Sequence, residues 1–282
     1  MVSRPIHRTN CDTSDNVCLN FQMCRYSIYS ISYNSILQAL SKTFHMILLG
    51  KAGTGKSSTG NSILGQRVFD SSAGGNLNTN ICAMKATDRF GHKLLVIDTP
   101  GICEDDRTLT EEIQQSVVMA QPGKKVFLLC VAMRRLTKED DLTFQEYAKC
   151  FGHEMYQFTI VVFTHLDQWQ ASMEDAGEIP DTMSYMNSLP PFAKKFIRKC
   201  FGRSICFSNR CTEDDMNTQV HSLLHEIGNI YNQNNEQCYT EEMLSKVIVQ
   251  ESFWSRISNN KCIATSIGAT ATAYALYKRV VR

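Results

Sequence analysis

The sequence lacks features that mark several common classes of protein. Its formal net charge is only +1, because 29 lysines and arginines face 28 aspartates and glutamates. A nucleic-acid-binding protein usually carries a strongly basic face, so this balance speaks against a nucleic-acid partner. The N-terminus has no apolar stretch of signal-peptide length. No secretory signal is therefore predicted.

Cysteine is abundant, but the arrangement that would bind zinc is missing. None of the twelve cysteines forms a CxxC pair, so the spacing predicts no zinc site. Cys130 lies inside the apolar run Val126–Ala132, where a buried strand residue is expected. Reduced thiols and a cytoplasmic location are the expectation that follows.

Apolar and helical segments alternate along most of the chain. With 282 residues and 43% hydrophobic content, the chain can form one large domain plus extensions. Apolar runs of strand length begin at Met46, His92, Lys125, Phe158 and Ser204. Helical candidates between them cover Thr108–Ala120, Lys138–Phe151 and Asn217–Tyr231. This alternation predicts a doubly wound α/β sheet, in which ligands bind at the carboxyl ends of the strands.

The segment after the first apolar run fits a phosphate-binding loop. Residues 50–57 read GKAGTGKS and match the pattern GxxxxGKS. Glycines let backbone N–H groups converge on an anion, and the following helix adds the positive end of its dipole. Lys56 would reach the β and γ phosphates, and the Ser57 hydroxyl would hold Mg²⁺. The alternative is a glycine-rich turn with an incidental lysine. The predicted phosphate-binding residues are Gly50, Lys51, Ala52, Gly53, Thr54, Gly55, Lys56, Ser57 and Ser58.

The second predicted contact with the phosphates follows the next long apolar run, at Asp98-Thr-Pro-Gly101. A carboxylate that leaves a strand can hold Mg²⁺ through water, and the backbone N–H of Gly101 can approach a γ phosphate. DxxG is weak evidence alone. About 40 residues after a phosphate loop, it matches the order of a guanine-nucleotide switch protein.

The third contact is predicted to recognise the base. Thr164-His165-Leu166-Asp167 follows a strand at the position where GTPases carry (N/T)KxD. The Asp167 carboxylate would accept two hydrogen bonds from guanine and reject adenine. His165 replaces the usual lysine, so an imidazole would pack along the base. The alternative is a polar loop after a strand.

The last strand is followed by Ser208-Asn209-Arg210. A backbone N–H there, or the Asn209 side chain, would contact the guanine carbonyl. The motif is weak evidence by itself, and its position after the last strand strengthens the prediction.

Together these segments resemble the AIG-type GTPases, also called GTPases of immunity-associated proteins. The resemblance is specific in Gly50–Gly65, which continues as Gly-Asn-Ser-Ile-Leu-Gly, and in the box Phe127–Asp140, which contains Arg-Leu-Thr-Lys-Glu-Asp. It covers about residues 44–232. It implies a P-loop NTPase with a mixed six-stranded, mostly parallel sheet, helices on both faces and a C-terminal helical extension.

The resemblance also implies roles for two residues outside the nucleotide motifs. Thr79 falls where the family's first switch has a threonine that senses Mg²⁺ and the γ phosphate. Arg135 lies in the family's box, where some members are thought to supply an arginine across a nucleotide-facing dimer; Arg134 remains open. The alternatives are a polar loop threonine and solvated charges at the start of a helix. Ile102 stands where Ras-like GTPases place a water-orienting glutamine, so intrinsic hydrolysis should be slow.

The ends of the chain carry separate expectations. Residues 1–43 show no sustained period and are expected to be poorly ordered. The G domain is assigned to 44–232 and a helical extension to 233–260, with an amphipathic helix from about Thr240 to Ile257. The segment 261–282 contains the uncharged run Cys262–Tyr277, which spans roughly 24 Å as a helix against a hydrocarbon core of about 30 Å. It is a candidate membrane tail, or else a small-residue helix that packs on protein.

Three functions are compatible with these residues. The first is a slow GTPase that binds GTP or GDP with Mg²⁺ and forms a homodimer or homo-oligomer when GTP-bound, as an assembly switch in immune or stress response. It would be cytoplasmic, and its tail is a candidate anchor on the cytosolic face of an organelle membrane. The second is a non-hydrolysing GTP-binding scaffold for protein partners. The third is an ATP-dependent enzyme, which would have no reason to carry Asp167.

Overall fold

The computed structural model describes residues 43–70, 81–101, 107–120, 124–235 and 237–259. Thr43, which the sequence assigns to the N-terminal extension, is the first residue of a strand. The predictions for residues 1–42, Thr79, Ile102 and the tail 261–282 lie outside the described residues.

The described strands form one six-stranded sheet, in the order β2-β3-β1-β4-β5-β6. The strands are β1 Thr43–Leu49, β2 Ala83–Arg89, β3 His92–Asp98, β4 Lys124–Ala132, β5 Thr159–Thr164 and β6 Ser204–Cys206. The pairs β1–β4, β4–β5 and β5–β6 are parallel, whereas β2 runs antiparallel to β3. The predicted mixed, mostly parallel sheet is confirmed.

Helices follow most of the strands. They are α1 Lys56–Leu64, α2 Arg107–Met119, α3 Lys138–Phe151, α4 Leu166–Asp175, α5 Thr182–Ser188, α6 Pro191–Lys199, α7 Glu213–Gln233 and α8 Glu241–Asn259, with a 3₁₀ helix at His153–Phe158. One packed group contains α1 and α7, and a second contains α2, α3, α6 and α8. Two separate groups are what a sheet covered on both faces requires.

The burial of each strand explains whether the sequence predicted it. The apolar residues of β1 and β5 are almost wholly buried, because a parallel strand covered on both faces has no solvent-exposed side. β2 is the outer antiparallel strand, and its polar sequence AMKATDR is mostly exposed. It therefore gives no apolar run, and the sequence did not predict it.

The C-terminal helix α8 is joined to the core by the segment before it. Tyr239 is fully buried, and its ring lies 4.9 Å from that of Phe127 and 6.1 Å from that of Phe151. Its hydroxyl donates a hydrogen bond of 2.6 Å to the Phe151 carbonyl. Burial of such a ring favours folding by about 2–3 kcal/mol, so the segment before α8 packs as part of the core.

None of the helices within the described ranges has both the length and the apolar character needed to cross a bilayer. The candidate membrane tail lies beyond α8, outside those ranges.

Two helical glycines provide a matched test of packing around α1. A Cβ at Gly60 would meet the Phe69 ring at 2.8 Å and Leu48 Cδ1 at 3.0 Å, whereas a Cβ at Gly228 in α7 would meet nothing within 4 Å. Alanine favours a helix over glycine by about 1 kcal/mol, but overpacking costs about 1–3 kcal/mol. We expect Gly228→Ala to raise the thermal unfolding midpoint and Gly60→Ala to lower it, measured by circular dichroism. A stabilising Gly60→Ala would contradict the packing described for α1.

Candidate functional site

The loop between β1 and α1 is held in a conformation that requires glycine. Gly50 has φ 142° and Gly55 has φ 81°, values that residues with a Cβ rarely adopt. A Cβ on Gly50 would lie 2.4 Å from the Cys130 carbonyl oxygen. The loop backbone therefore packs directly on the carboxyl end of β4, and Gly55 begins α1 with no side-chain cap.

Lys56 lies folded into this loop. Its ammonium donates hydrogen bonds of 2.9 Å each to the carbonyls of Gly50 and Lys51. The side chain is only 7% exposed, and burial lowers the pKa of Lys56 while nearby Asp98 opposes that shift. A buried ammonium at the start of a helix fits a multiply charged anion.

Tyr147 of α3 holds the same loop from the other side. Its hydroxyl accepts a hydrogen bond of 2.8 Å from the Gly50 N–H and donates one of 3.1 Å to the Gly50 carbonyl. The tyrosine is fully buried. Both backbone groups of Gly50 are thus satisfied by one side chain.

The remaining predicted loop residues form the rim of the site. Lys51 makes an ion pair of 2.9 Å with Glu139, and the Thr54 hydroxyl donates to the Lys51 carbonyl at 2.9 Å. Ala52 and Gly53 are exposed, and Ser58 is half-buried in the first turn of α1. Ala52 and Gly53 are therefore the most exposed part of the loop.

Ser57 and Asp98 meet across the site. The Ser57 hydroxyl donates a hydrogen bond of 2.5 Å to Asp98 Oδ2. Asp98 is 2% exposed, and its Oδ1 has no hydrogen-bond partner among the residues that the structure describes. Burial raises the pKa of Asp98, although the Ser57 hydroxyl and Lys56 act in the opposite direction. One hydroxyl and one unsatisfied carboxylate are hard oxygen donors, and they fit Mg²⁺.

Gly101 lies directly against the loop between β1 and α1. A Cβ there would lie 2.4 Å from the Ala52 backbone nitrogen, so only glycine fits. The Thr99 hydroxyl fixes this segment by donating to the Leu48 carbonyl at 2.6 Å. The two predicted phosphate-binding segments are therefore in contact.

The predicted base-recognition residues lie against the end of the same loop. The Thr164 hydroxyl donates a hydrogen bond of 2.7 Å to the Thr54 carbonyl. His165 adopts φ 60° at the start of α4, and its Nε2 would lie 3.3 Å from a Cβ on Gly55. That nitrogen is buried and has no partner in the described part of the chain. Asp167, the second residue of α4, is half-buried.

Ser208 and Asn209 complete this side of the site. The Ser208 hydroxyl lies 3.4 Å from Asp167 Oδ1. The Asn209 amide donates to the Thr59 hydroxyl at 3.2 Å and accepts from the Ser62 hydroxyl at 2.9 Å. Its side chain thus fixes the loop after β6 to α1.

The two arginines of the box after β4 differ in their surroundings. Arg134 makes an ion pair of 2.9 Å with Asp140, whose other oxygen accepts from the Thr137 N–H at the start of α3. Arg135 is exposed, and no described residue forms a hydrogen bond or ion pair with its guanidinium. Arg134 serves the local fold, and Arg135 is available to a partner.

Sequence reasoning missed the residues that support the site from α3 and α7. Tyr147 and Gln219 belong to no motif, and Glu139 lies in the box after β4 without a role assigned from the sequence. Gln219 Oε1 accepts from the Ser208 N–H at 2.7 Å. Helical periodicity places Tyr147 on a buried face, but no pattern indicates that its hydroxyl faces Gly50.

Comparison with known proteins assigns this arrangement to a family. The profile of the AIG1 family matches residues 44–259. The chain belongs to the AIG1 family. The match includes α8, so it extends beyond the range 44–232 over which the motifs alone carry the resemblance.

Relatives in the AIG1 family occur in plants and mammals. The chain is 34% identical over 205 residues to immune-associated nucleotide-binding protein 8 of Arabidopsis thaliana, which covers 71% of this chain and 57% of that relative. It is 33% identical over 187 residues to GTPase IMAP family member 8 of Mus musculus, covering 64% of this chain and 26% of that relative. The chain thus spans about half or less of these relatives' lengths.

The AIG1-family fold is also that of Toc33 from Arabidopsis thaliana. A Toc33 variant described as dimerisation-deficient aligns with a TM-score of 0.51 at 20% identity, over 70% of this chain and 88% of that one. Toc33 with Mg²⁺ and GMPPNP aligns with a TM-score of 0.50 at 19% identity, over 71% and 89% of the two chains. This likeness confirms the α/β fold.

Because the Tyr147 hydroxyl bonds to Gly50, we expect removal of that hydroxyl to lower the free energy of unfolding. Tyr147→Phe leaves the Gly50 N–H without its hydroxyl partner, and a buried unsatisfied group costs about 1–3 kcal/mol. Tyr156→Phe is the matched control, since the Tyr156 hydroxyl accepts only a 3.4 Å bond from exposed Lys199. We expect urea unfolding to show the larger loss for Tyr147→Phe. Equal losses would refute the special role of Tyr147.

Proposed function

We propose that this AIG1-family chain binds GTP and GDP with Mg²⁺ and hydrolyses GTP slowly, with dimerisation in the GTP-bound state as its output. The observation that carries the proposal is the hydrogen bond from the Thr164 hydroxyl to the Thr54 carbonyl. It joins the segment with Asp167 to the loop with Lys56, so one molecule with a base and phosphates can contact both. The G domain would be 44–232, with 233–260 as its helical extension.

The phosphate side supports this proposal by its charges. Lys56 would release its bonds to the Gly50 and Lys51 carbonyls and turn to the β and γ phosphates. Ser57 and Asp98 would hold Mg²⁺, Asp98 through a water molecule. When bound, Mg²⁺ neutralises charge that develops on the phosphate oxygens.

The base side supports guanine. The Asp167 carboxylate would accept from guanine N1–H and the 2-amino group, and adenine offers neither pattern. His165 would pack along the base, and the backbone at Ser208–Asn209 would donate to the guanine carbonyl. Among the similar proteins, Toc33 is described in complex with GMPPNP or GDP and Mg²⁺.

The proposal of slow hydrolysis follows from a missing side chain. The residue after Gly101 in the sequence is Ile102, which cannot orient a water molecule as a glutamine does. Thr79 remains the residue proposed to sense Mg²⁺ and the γ phosphate. A second residue must therefore raise the rate if turnover is to be useful.

Arg135 is the residue proposed to do so from a second copy of the chain. It is exposed in the segment between β4 and α3, whereas Arg134 is held by Asp140. An arginine supplied in trans raises the rate of phosphoryl transfer by roughly 10³–10⁵. In Toc33, an arginine-to-alanine variant is described as dimerisation-deficient, which supports a role for an arginine in pairing.

The alternative function is a GTP-binding scaffold that does not hydrolyse its nucleotide. The same Ile102 favours it, and partner recognition would then be its whole output. A role in immunity is proposed from the relatives' names. Anchoring of residues 261–282 to a membrane remains a proposal that rests on their uncharged run.

Guanine recognition can be tested by changing the hydrogen-bonding pattern at one position. Asp167→Asn can no longer accept from the 2-amino group of guanine, but its amide can donate to the 2-oxygen of xanthine. We expect a preference for GTP over XTP to reverse, with affinity for GTP falling by about 100-fold. Affinities would be measured by calorimetry, with Asp175→Asn at the end of α4 as the control. Unchanged preference in Asp167→Asn would refute the assignment.

Arginine donation can be tested by hydrolysis at several protein concentrations. In single-turnover assays, the rate of the unaltered chain should climb with concentration, and Arg135→Ala should remove that climb while leaving GTP affinity intact. Arg198→Ala, an exposed arginine on α6, is the matched control. Tight GTP binding without hydrolysis at any concentration would instead establish the scaffold.

A further inference from the structure

A second cavity lies apart from the nucleotide site. It is a cleft open to solvent with a volume of about 1170 Å³, and it is lined by residues of α3, the 3₁₀ helix, α6 and α8. Its lining residues include none of the residues assigned to phosphate, Mg²⁺ or base. Sites for small molecules typically measure about 300–1000 Å³ and combine apolar walls with a few polar groups. The volume is therefore sufficient for a small molecule.

One wall of this cavity is aromatic. Phe144 and Phe196 are about nine-tenths buried, with their ring centroids 4.7 Å apart. Phe192 lies 6.0 Å from Phe144, and Tyr156 lies 5.3 Å from Phe196 in an edge-on arrangement. Ala148 lines the cavity with only a methyl group. Together they offer an apolar face with room beside it.

The wall formed by α6 is basic. Its nine residues include Lys194, Lys195, Arg198 and Lys199 and no acid. Lys195 and Lys199 line the cavity and are four residues apart, which places them on one face of the helix. The Lys199 ammonium lies 4.8 Å from the centre of the Tyr156 ring. Lys195 has no hydrogen bond or ion pair with any described residue.

The two other lysines of the lining are paired with acids. Lys149 pairs with Glu146 and Lys246 with Glu242. Asp141 and Glu154 add two negative charges on α3 and the 3₁₀ helix. Asp141 and Glu154 equal Lys195 and Lys199 in number, but neither acid forms an ion pair with either lysine among the described residues. The two positive charges on α6 therefore lie together next to the aromatic wall without an ion-pair partner.

We propose that this cavity binds a small amphipathic anion. Its aromatic or acyl group would lie on Phe144 and Phe196, and its carboxylate, sulfonate or phosphate would pair with Lys195 and Lys199. An apolar surface next to two ammonium groups selects for that combination, because a neutral ligand gains nothing from the lysines and a purely polar anion gains nothing from the rings.

The probe for this site is 8-anilinonaphthalene-1-sulfonate, an aromatic sulfonate that fluoresces when it leaves water. In the full chain with excess GTP and Mg²⁺, we expect saturable binding at one site. The double variant Lys195→Glu/Lys199→Glu should bind at least tenfold more weakly. Lys194→Glu should bind as the unaltered chain does, since Lys194 lies on the same helix, outside the lining, and donates to the Asn187 carbonyl.

A second variant separates the apolar wall from the charges. Ala148→Phe would fill the space beside Phe144 without altering charge, and it should also weaken binding; circular dichroism would establish that the variant is folded. If Ala148→Phe fails to fold, the lysine variants decide alone. Binding that GTP displaces, that the double variant retains, or that is absent from the unaltered chain would overturn the proposal.

Discussion

Close contact between backbone segments is the constraint on which the site depends. At Gly50 the loop after β1 touches the Cys130 carbonyl, and at Gly101 the segment after β3 touches the amide of Ala52. Neither contact leaves space for a Cβ. The ends of three strands are therefore drawn together until their loops share one surface, and every polar group of the site takes its position from that approach.

The charged groups of the site are kept in low-dielectric surroundings by this packing. Burial disfavours the ammonium form of Lys56 and the carboxylate form of Asp98, so their pKa values move in opposite directions. Each group also stabilises the charged form of the other. A multiply charged anion with Mg²⁺ would add the missing countercharge to both, which is why the pair fits a nucleotide better than either residue alone.

The sequence predicted the strands that are marked by buried apolar runs and the site residues that belong to polar motifs. It did not predict the elements with exposed faces or the contacts between residues far apart in the chain. The buried strands β1, β4 and β5 were predicted because apolar runs fill them, and α3 was predicted with its observed ends, Lys138 and Phe151. The outer strand β2 and helices α4–α6 were missed, because their exposed faces break the apolar pattern. Motifs indicated Lys56, Ser57 and Asp98 as site residues. The hydrogen bond between the Gly50 N–H and the Tyr147 hydroxyl joins residues 97 positions apart, and no local sequence pattern can show such a pairing.

Tyr239 links the C-terminal part of the chain to the middle of the sheet. Its ring lies 4.9 Å from Phe127 of β4, and its hydroxyl holds the last carbonyl of α3, the helix that carries Tyr147. A cut in the chain before Tyr239 would open the core beneath that helix. Proteolysis or truncation near residue 235 would therefore destabilise the loop at Gly50 through α3, although the cut lies far from Gly50 in the sequence.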